Sequence, residues 1–174
     1  MRIVIGIVVG LVLIVGIVYA VGLLLPREHR AVSRITLHQS PDQVWPVVRD
    51  LSSLVGTWSD LKSASRLPDQ AGKEVWQQNA GGFPLKLIIE EAAPPTRLVT
   101  RIDAAADATF GGVWTYEISP AGGGARITVT EEGYVNNPLF RTMMKAMGVH
   151  KTADGYLIAL GRKLGEAVKP EHVE

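Results

Sequence analysis

The order of apolar and polar positions separates the chain into one stretch with no polar period and a remainder that alternates. From Ile3 to Leu25, IVIGIVVGLVLIVGIVYAVGLLL carries no charge. As a helix it would be about 35 Å long, against a hydrocarbon core of about 30 Å. A helix satisfies its own backbone groups in lipid, so the pattern predicts a single membrane span. Pro26 and Arg27 mark its exit. A cleaved signal peptide is the competing reading, with VYA at Val18–Ala20 as its small-residue site. Against it, the apolar run continues to Leu25, beyond the roughly 7–15 residues of a signal's apolar region.

After the span the period changes to two. Residues 27–31 read as a short juxtamembrane linker. VSRITLHQ, Val32–Gln39, puts Ile35 and Leu37 on one side and Arg34, Thr36 and His38 on the other, which predicts a half-buried strand. SPDQVWPVVRDL follows as a short helix. Ser40 and Gln43 form a capping box there, and Pro41 takes the first helical position. LSSLVGTW reads as a second short helical turn. Three hairpin-like pairs come next: Leu61–Leu67 with Glu74–Gln78, Leu85–Glu91 with Arg97–Asp103, and Phe110–Ser119 with Ala125–Glu132. PDQAG, AAPPT and PAGGG supply the turns. Short spacing implies antiparallel pairing. Alternation puts Leu85, Leu87 and Ile89 on one face, and likewise Leu98, Thr100 and Ile102. It also groups Phe110, Trp114, Tyr116 and Ile118, and groups Ile127 and Val129 with Glu131.

The last stripe starts at NNP, where Asn137 can cap and Pro138 can open a helix. Its period runs to about Val168, roughly 31 residues or about 46 Å if unbroken. Leu139, Met143, Ala146, His150, Leu157 and Leu164 share the predicted buried face, with Asp154 beside His150. Arg141, Lys145, Thr152, Arg162 and Glu166 take the other side. Glycines at 148, 155, 161 and 165 weaken this helix, so packing must compensate or the helix must bend at Gly148. The predicted class is α+β: an N-terminal transmembrane helix, then a seven-stranded antiparallel sheet covered by a long C-terminal helix.

Composition narrows the chemistry. Cysteine is absent, which removes disulfides, thiol nucleophiles and thiolate metal sites. The histidines, His29, His38, His150 and His172, are scattered, so no metal site is expected. Of the 18 Lys and Arg residues only Arg2 precedes Pro26, leaving 17 against 17 Asp and Glu in the rest of the chain. Such a neutral domain lacks the footprint of a nucleic-acid binder. Arg27, Arg30 and Arg34 after the span place the domain on the cytoplasmic side by the positive-inside rule. Gly6 and Gly10 form a GxxxG that would let two spans meet as a homodimer, although glycine is common in such helices anyway.

The soluble part resembles the SRPBCC superfamily, also called START-like or helix-grip, and within it the polyketide cyclase/dehydrase and lipid-transport branch. ITLHQSPDQVWPVVRDL, EEAAPPTRLVTRID, WTYEISPAGGGARITVTEEGY and the helix from Pro138 carry the resemblance. It spans Val32 to Val168, within a domain taken as 32–174 after an anchor at 1–26. The resemblance implies a curved sheet around the long helix with an apolar cavity between them. It also implies lipid or hydrophobic-metabolite binding, with cyclisation or dehydration in a minority of members. One departure is LVGTWSDLKSASRLP. Relatives often carry a second tryptophan-and-proline signature there, whereas this chain has Trp58 alone. The family has no universal catalytic triad, so no catalytic set carries over.

On that basis Leu87, Thr100, Phe110, Trp114, Tyr116, Glu131, Met143, Met147, His150 and Leu157 are candidate cavity residues. Glu131, His150 and Asp154 form a candidate polar cluster inside. It would either orient a ligand carbonyl or hydroxyl or move a proton, since histidine titrates near neutrality. The structural alternative is that His150 and Asp154 satisfy each other. Three functions remain open. The first is a membrane-tethered binder or carrier of a hydrophobic small molecule or lipid. The second is a cyclase, dehydratase or hydrolase using a His150–Asp154 dyad, and the third is a membrane scaffold. No cofactor is expected.

Overall fold

The structure, a computed structural model, describes residues 2–105 and 107–173. Met1, Ala106 and Glu174 lie outside the described residues, and with them the outer bounds of segments 1–26 and 32–174. Helix α1 (Arg2–Leu24) is followed by strand β1 (Glu28–Leu37) and helix α2 (Pro41–Arg49). Six strands come next: β2 (Leu61–Gln70), β3 (Lys73–Ala80), β4 (Phe83–Ala93), β5 (Arg97–Ile102), β6 (Phe110–Ala121) and β7 (Gly124–Val135). Helices α3 (Pro138–Met147) and α4 (Lys151–Lys163) follow, and the short β8 (Glu171–His172) ends the order.

All strands join one antiparallel sheet in the order β2-β3-β4-β5-β6-β7-β1-β8. Alternation predicts seven strands; the eighth, β8, pairs with β1 only at Ser33 and Arg34. Two residues are too few for any period to show. Three hairpins close through paired residues with positive φ, Ala71–Gly72 at 51° and 76°, Gly81–Gly82 at 59° and 84°, and Gly122–Gly123 at 59° and 85°. Such turns match the twist of the flanking strands. Gln43 Oε1 accepts from Ser40 N at 3.0 Å at the start of α2. The expected second helical turn is instead a run of hydrogen-bonded turns over 51–57.

The linker expected at 27–31 is mostly strand. Glu28 pairs with Tyr134 and Ala31 with Glu131, so only Leu25, Pro26 and Arg27 separate α1 from the sheet. The core lies where α4 crosses the concave face: Leu157 and Leu160 are fully buried with Leu98, Ile127 and Val129. Val44 and Val48 of α2 close its end.

The single long C-terminal helix is two helices. Gly148 ends α3 with φ 89°, a backbone that L side chains rarely adopt, and its N–H bonds back to Met144 O. A straight stripe through His150 therefore does not form. The outcome reverses part of the predicted face: Leu139 and Met143 are exposed at 37% and 47%, whereas Arg141, expected on the other side, is buried at 5%. The reason is α1. Its end packs on α3, and a Cβ on Gly22 would lie 2.0 Å from Pro138 O, so the two backbones touch. Arg141 Nη1 donates to Leu25 O at 2.8 Å and Nη2 to Asn136 O at 3.3 Å, which pairs a charge that burial would otherwise penalise. α1 is long and apolar enough to cross a membrane, and its most apolar window contains no buried residue. Beyond the helix's own neighbouring turns, a Cβ on Gly6 or Gly10 would meet nothing within 4 Å among the described residues.

Arg49 ties α2 to β3 by forking onto both oxygens of Glu74, which also accepts from Trp76 Nε1 at 2.7 Å. The Arg49 hydrogen bonds, with help from Trp76, hold the Glu74 carboxyl below its ordinary range. A depressed folded pKa adds stability above the unfolded value, and that stability is lost as pH falls through the folded value. Glu74→Gln is therefore expected to melt below the parent chain at neutral pH. The gap should close as pH falls below about 4.3 toward the depressed value. Thermal melts at several pH values check this, and a gap indifferent to pH would contradict it.

Candidate functional site

α4 covers β1 and β7, and α2 covers β6 and β7, which leaves the concave face of the remaining strands facing a cavity of about 590 Å³. The sequence builds its walls by alternation. Leu87 and Thr100 line it from β4 and β5, and Phe110, Trp114 and Tyr116 from β6. Met143 and Met147 close it from α3 and Tyr156 from α4. Trp58, from the turns after α2, joins Trp114, Tyr116 and Tyr156 in an aromatic wall with ring centroids 5.1–6.5 Å apart. Gly155 makes that wall possible: a Cβ there would sit 3.1 Å from Trp58 Nε1.

Burial pushes the Tyr116 phenol up, partly offset by a hydrogen bond with Thr100, and the nearby Glu131 charge raises it further. Burial does the same to Tyr156. Both phenols keep their protons at neutral pH and remain potential donors.

One polar pair faces this oily space. His29 Nε2 and Glu131 Oε1 are 3.4 Å apart, with side chains 11% and 18% exposed. The remaining polar atoms of the pair, His29 Nδ1 and Glu131 Oε2, are buried without a partner, as is Trp58 Nε1. Buried polar atoms are rarely left so, and an orphaned pair in a cavity wall fits a ligand's polar group. Gly133, opposite His29 on β7, leaves room for the ring: a Cβ there would lie 2.7 Å from His29 Cε1.

His29 escapes sequence reasoning because the strand is read from Val32. The signal was present. Counting the parity of Ile35 and Leu37 backwards gives Ser33, Ala31 and His29 on the same face, and Ser33 and Ala31 are indeed buried.

The polar cluster of Glu131, His150 and Asp154 is not one cluster. His150 caps α4 after the break and lies outside the cavity lining, as do Asp154 and Leu157. Leu157 is core. Ser33 Oγ donates to Asp154 Oδ1 at 2.7 Å and lies 3.3 Å from His150 Nδ1. His172 of β8 reaches Asp154 Oδ2 at 2.9 Å and stacks on His150 with centroids 3.8 Å apart. His150 and Asp154 therefore meet through Ser33 rather than as a dyad. Ser33 is fully buried, so no substrate can approach it as a nucleophile. Four strand residues, about 13 Å, separate this group from His29. Among the described residues no group of three His, Cys, Asp or Glu could hold a metal ion.

Comparison with known proteins agrees with this architecture. Residues 28–162 match the profile of the family described as polyketide cyclase / dehydrase and lipid transport. No curated protein sequence matches the chain. Among solved structures, the Zhui aromatase/cyclase from a Streptomyces species superposes with TM-score 0.63 at 13% identity, over 79% of this chain and 94% of that one. The Mll3558 protein from Rhizobium loti gives TM-score 0.54 at 22% identity, covering 78% and 96%. Ara h 8.0201 gives TM-score 0.58 at 13% identity, covering 80% and 99%. At these identities the superpositions establish the helix-grip fold alone, whereas the profile match covers most of the sequence. The chain belongs to the polyketide cyclase / dehydrase and lipid transport family.

Proposed function

We propose that the protein binds one hydrophobic small molecule or lipid in the internal cavity, and that α1 holds the domain at a membrane. The ligand's polar group would meet His29 and Glu131. The observation that carries the reading is a largely apolar chamber of about 590 Å³ whose wall holds three buried, unpartnered polar atoms, His29 Nδ1, Glu131 Oε2 and Trp58 Nε1. That volume lies within the range of small-molecule sites. Membrane tethering is supported by the length and exposure of α1, and the three arginines that follow it favour a cytoplasmic domain. A tethered domain meets bilayer components at high effective concentration.

A second reading draws on the same pair. A carboxylate and an imidazole at the wall of a largely apolar cavity are suited to proton transfer, as in cyclisation or dehydration of a bound substrate. His29 and Glu131 would then act in place of His150 and Asp154.

Native mass spectrometry of the full chain released from detergent is expected to retain one equivalent of a hydrophobic ligand. Ala80→Trp, which fills space at the cavity wall, should lose it while melting normally. An unliganded parent chain would count against the binder. For a hydroxyl-bearing ligand so identified, Glu131→Leu removes a charged hydrogen bond worth about 1.5–3 kcal/mol, so Kd should rise roughly 10–100-fold. An unchanged Kd would put the polar end of the ligand elsewhere. If turnover of a substrate is found, its pH profile should lose a limb in His29→Gln and keep its shape in His150→Gln.

A further inference from the structure

Helix α3 has two apolar sides, and the fold covers only one of them. Leu139, Met143 and Met147 stand at every fourth position and form one exposed stripe. Met143 and Met147 also line the cavity, which reaches the surface between α3 and the exposed Gly81–Phe83 turn. Phe83 is 41% exposed and its ring meets Phe140 of α3 at 5.9 Å, so the stretch of rim between α3 and this turn is aromatic and sulfur-rich, with Lys151 and Thr152 beyond it. Left in water, such a mouth would be an exposed apolar patch of the kind that marks a binding surface.

What covers it follows from α1. Pro138 lies against Gly22, and Thr142 Oγ1 donates to Val18 O at 3.0 Å. Advancing along α3 therefore means going backwards along α1, so the two helices run antiparallel. The contact reaches from Leu25 to Val18, about 10 Å of helix axis. With only three residues between α1 and β1, no slack lets the domain move away from that end. Whatever solvent surrounds the last turns of α1 also surrounds the outer stripe of α3.

We propose that α3 lies in the bilayer beside the last turns of α1, so that the cavity mouth opens onto lipid and the ligand enters from the membrane without crossing water. The proposal rests on the reading of α1 as a membrane span. Lys145 and Lys151, both exposed, are long enough to carry their charge toward the headgroups while their stems stay in the apolar layer.

The chain has no cysteine, so single cysteines can be labelled without background. The full chain would be reconstituted in phosphatidylcholine vesicles, with an environment-sensitive fluorophore placed in turn on Leu139→Cys, Met143→Cys, Ile14→Cys in α1, and Ser65→Cys on exposed β2. Each label is challenged with doxyl-bearing lipid and with aqueous iodide. The expected result is loss of fluorescence to doxyl lipid at 139 and 143, comparable to that at 14, while 65 responds only to iodide. If 14 is quenched by lipid and 139 and 143 respond only to iodide, the mouth faces water and the proposal fails while the anchor stands. If 139 and 143 are shielded from both quenchers, a protein or a second copy covers α3, which also overturns it. If 14 itself escapes the lipid quencher, the anchor reading falls and takes this one with it.

Discussion

One helix of limited length must cover a sheet wider than itself, and the rest of the molecule follows from that mismatch. Eight strands at about 4.8 Å spacing span about 34 Å, whereas the 13 residues of α4 extend about 20 Å. Apolar burial is satisfied where α4 and α2 cross β1, β6 and β7, and there Leu157, Leu160, Ile127 and Val129 leave no exposed surface. Over β2 to β5 no helix is closely packed on the concave face, and α3 closes the space only at a distance. Curvature of the sheet and bulky side chains at the border, Trp58, Trp114, Tyr116 and Tyr156, hold that region open instead of letting it collapse. The cavity is the uncovered part of the core, and its apolar lining is the same alternation that builds the packed part.

Gly148 decides how the uncovered part is bounded. A continuous helix from Pro138 would carry Met143 and Met147 on the face that Leu157 uses, and both would be core. The positive φ at Gly148 turns the chain, so α3 leaves the sheet axis and packs on α1. Arg141 then changes role. On a continuous helix it would be a solvated charge; here it bonds the carbonyls of Leu25 and Asn136, holding the end of α1 against the start of α3. A cation near the last carbonyls of a helix is also favoured by the helix dipole.

This separates what was legible in the sequence from what was not. Period-two alternation assigned Leu87, Thr100, Tyr116 and Glu131 each to one face of its own strand, because in a strand parity alone sets the face, and all four border the cavity. The turn chemistry of PAGGG and the cap at Asn137 are local, and local signals are readable. The helix stripe was less informative. A period of 3.6 says which residues share a side but not what stands opposite: Leu139, placed on the buried face, is exposed, whereas Met143, expected to line the cavity, lines it while keeping 47% of its surface in the open. Of the two readings left open for His150, the bend at Gly148 puts it at the start of α4 and outside the cavity lining, whereas Leu157 keeps to the buried face. His29 was missed because the apolar span ends so close to β1 that the first residues of the strand resembled a linker.

That closeness bears on how the site works. His29 stands five residues beyond Leu24, on the strand that α1 feeds directly, and Glu131 is held opposite by β7. The second polar group on the same strand face, Ser33 with His150, Asp154 and His172, lies beyond Ala31, where side chains fill the space. One strand therefore carries two polar spots with different consequences. The inner one is saturated by its neighbours and fastens α4 and the C-terminal tail to β1. The outer one keeps unpartnered atoms and faces the cavity. Satisfied groups rigidify a fold, whereas unsatisfied ones at a cavity wall gain free energy only from something that enters. On the proposed binding function, the ligand's polar group would meet His29 and Glu131, at the end of the cavity tied most directly to α1, and its apolar remainder would lie along the aromatic wall.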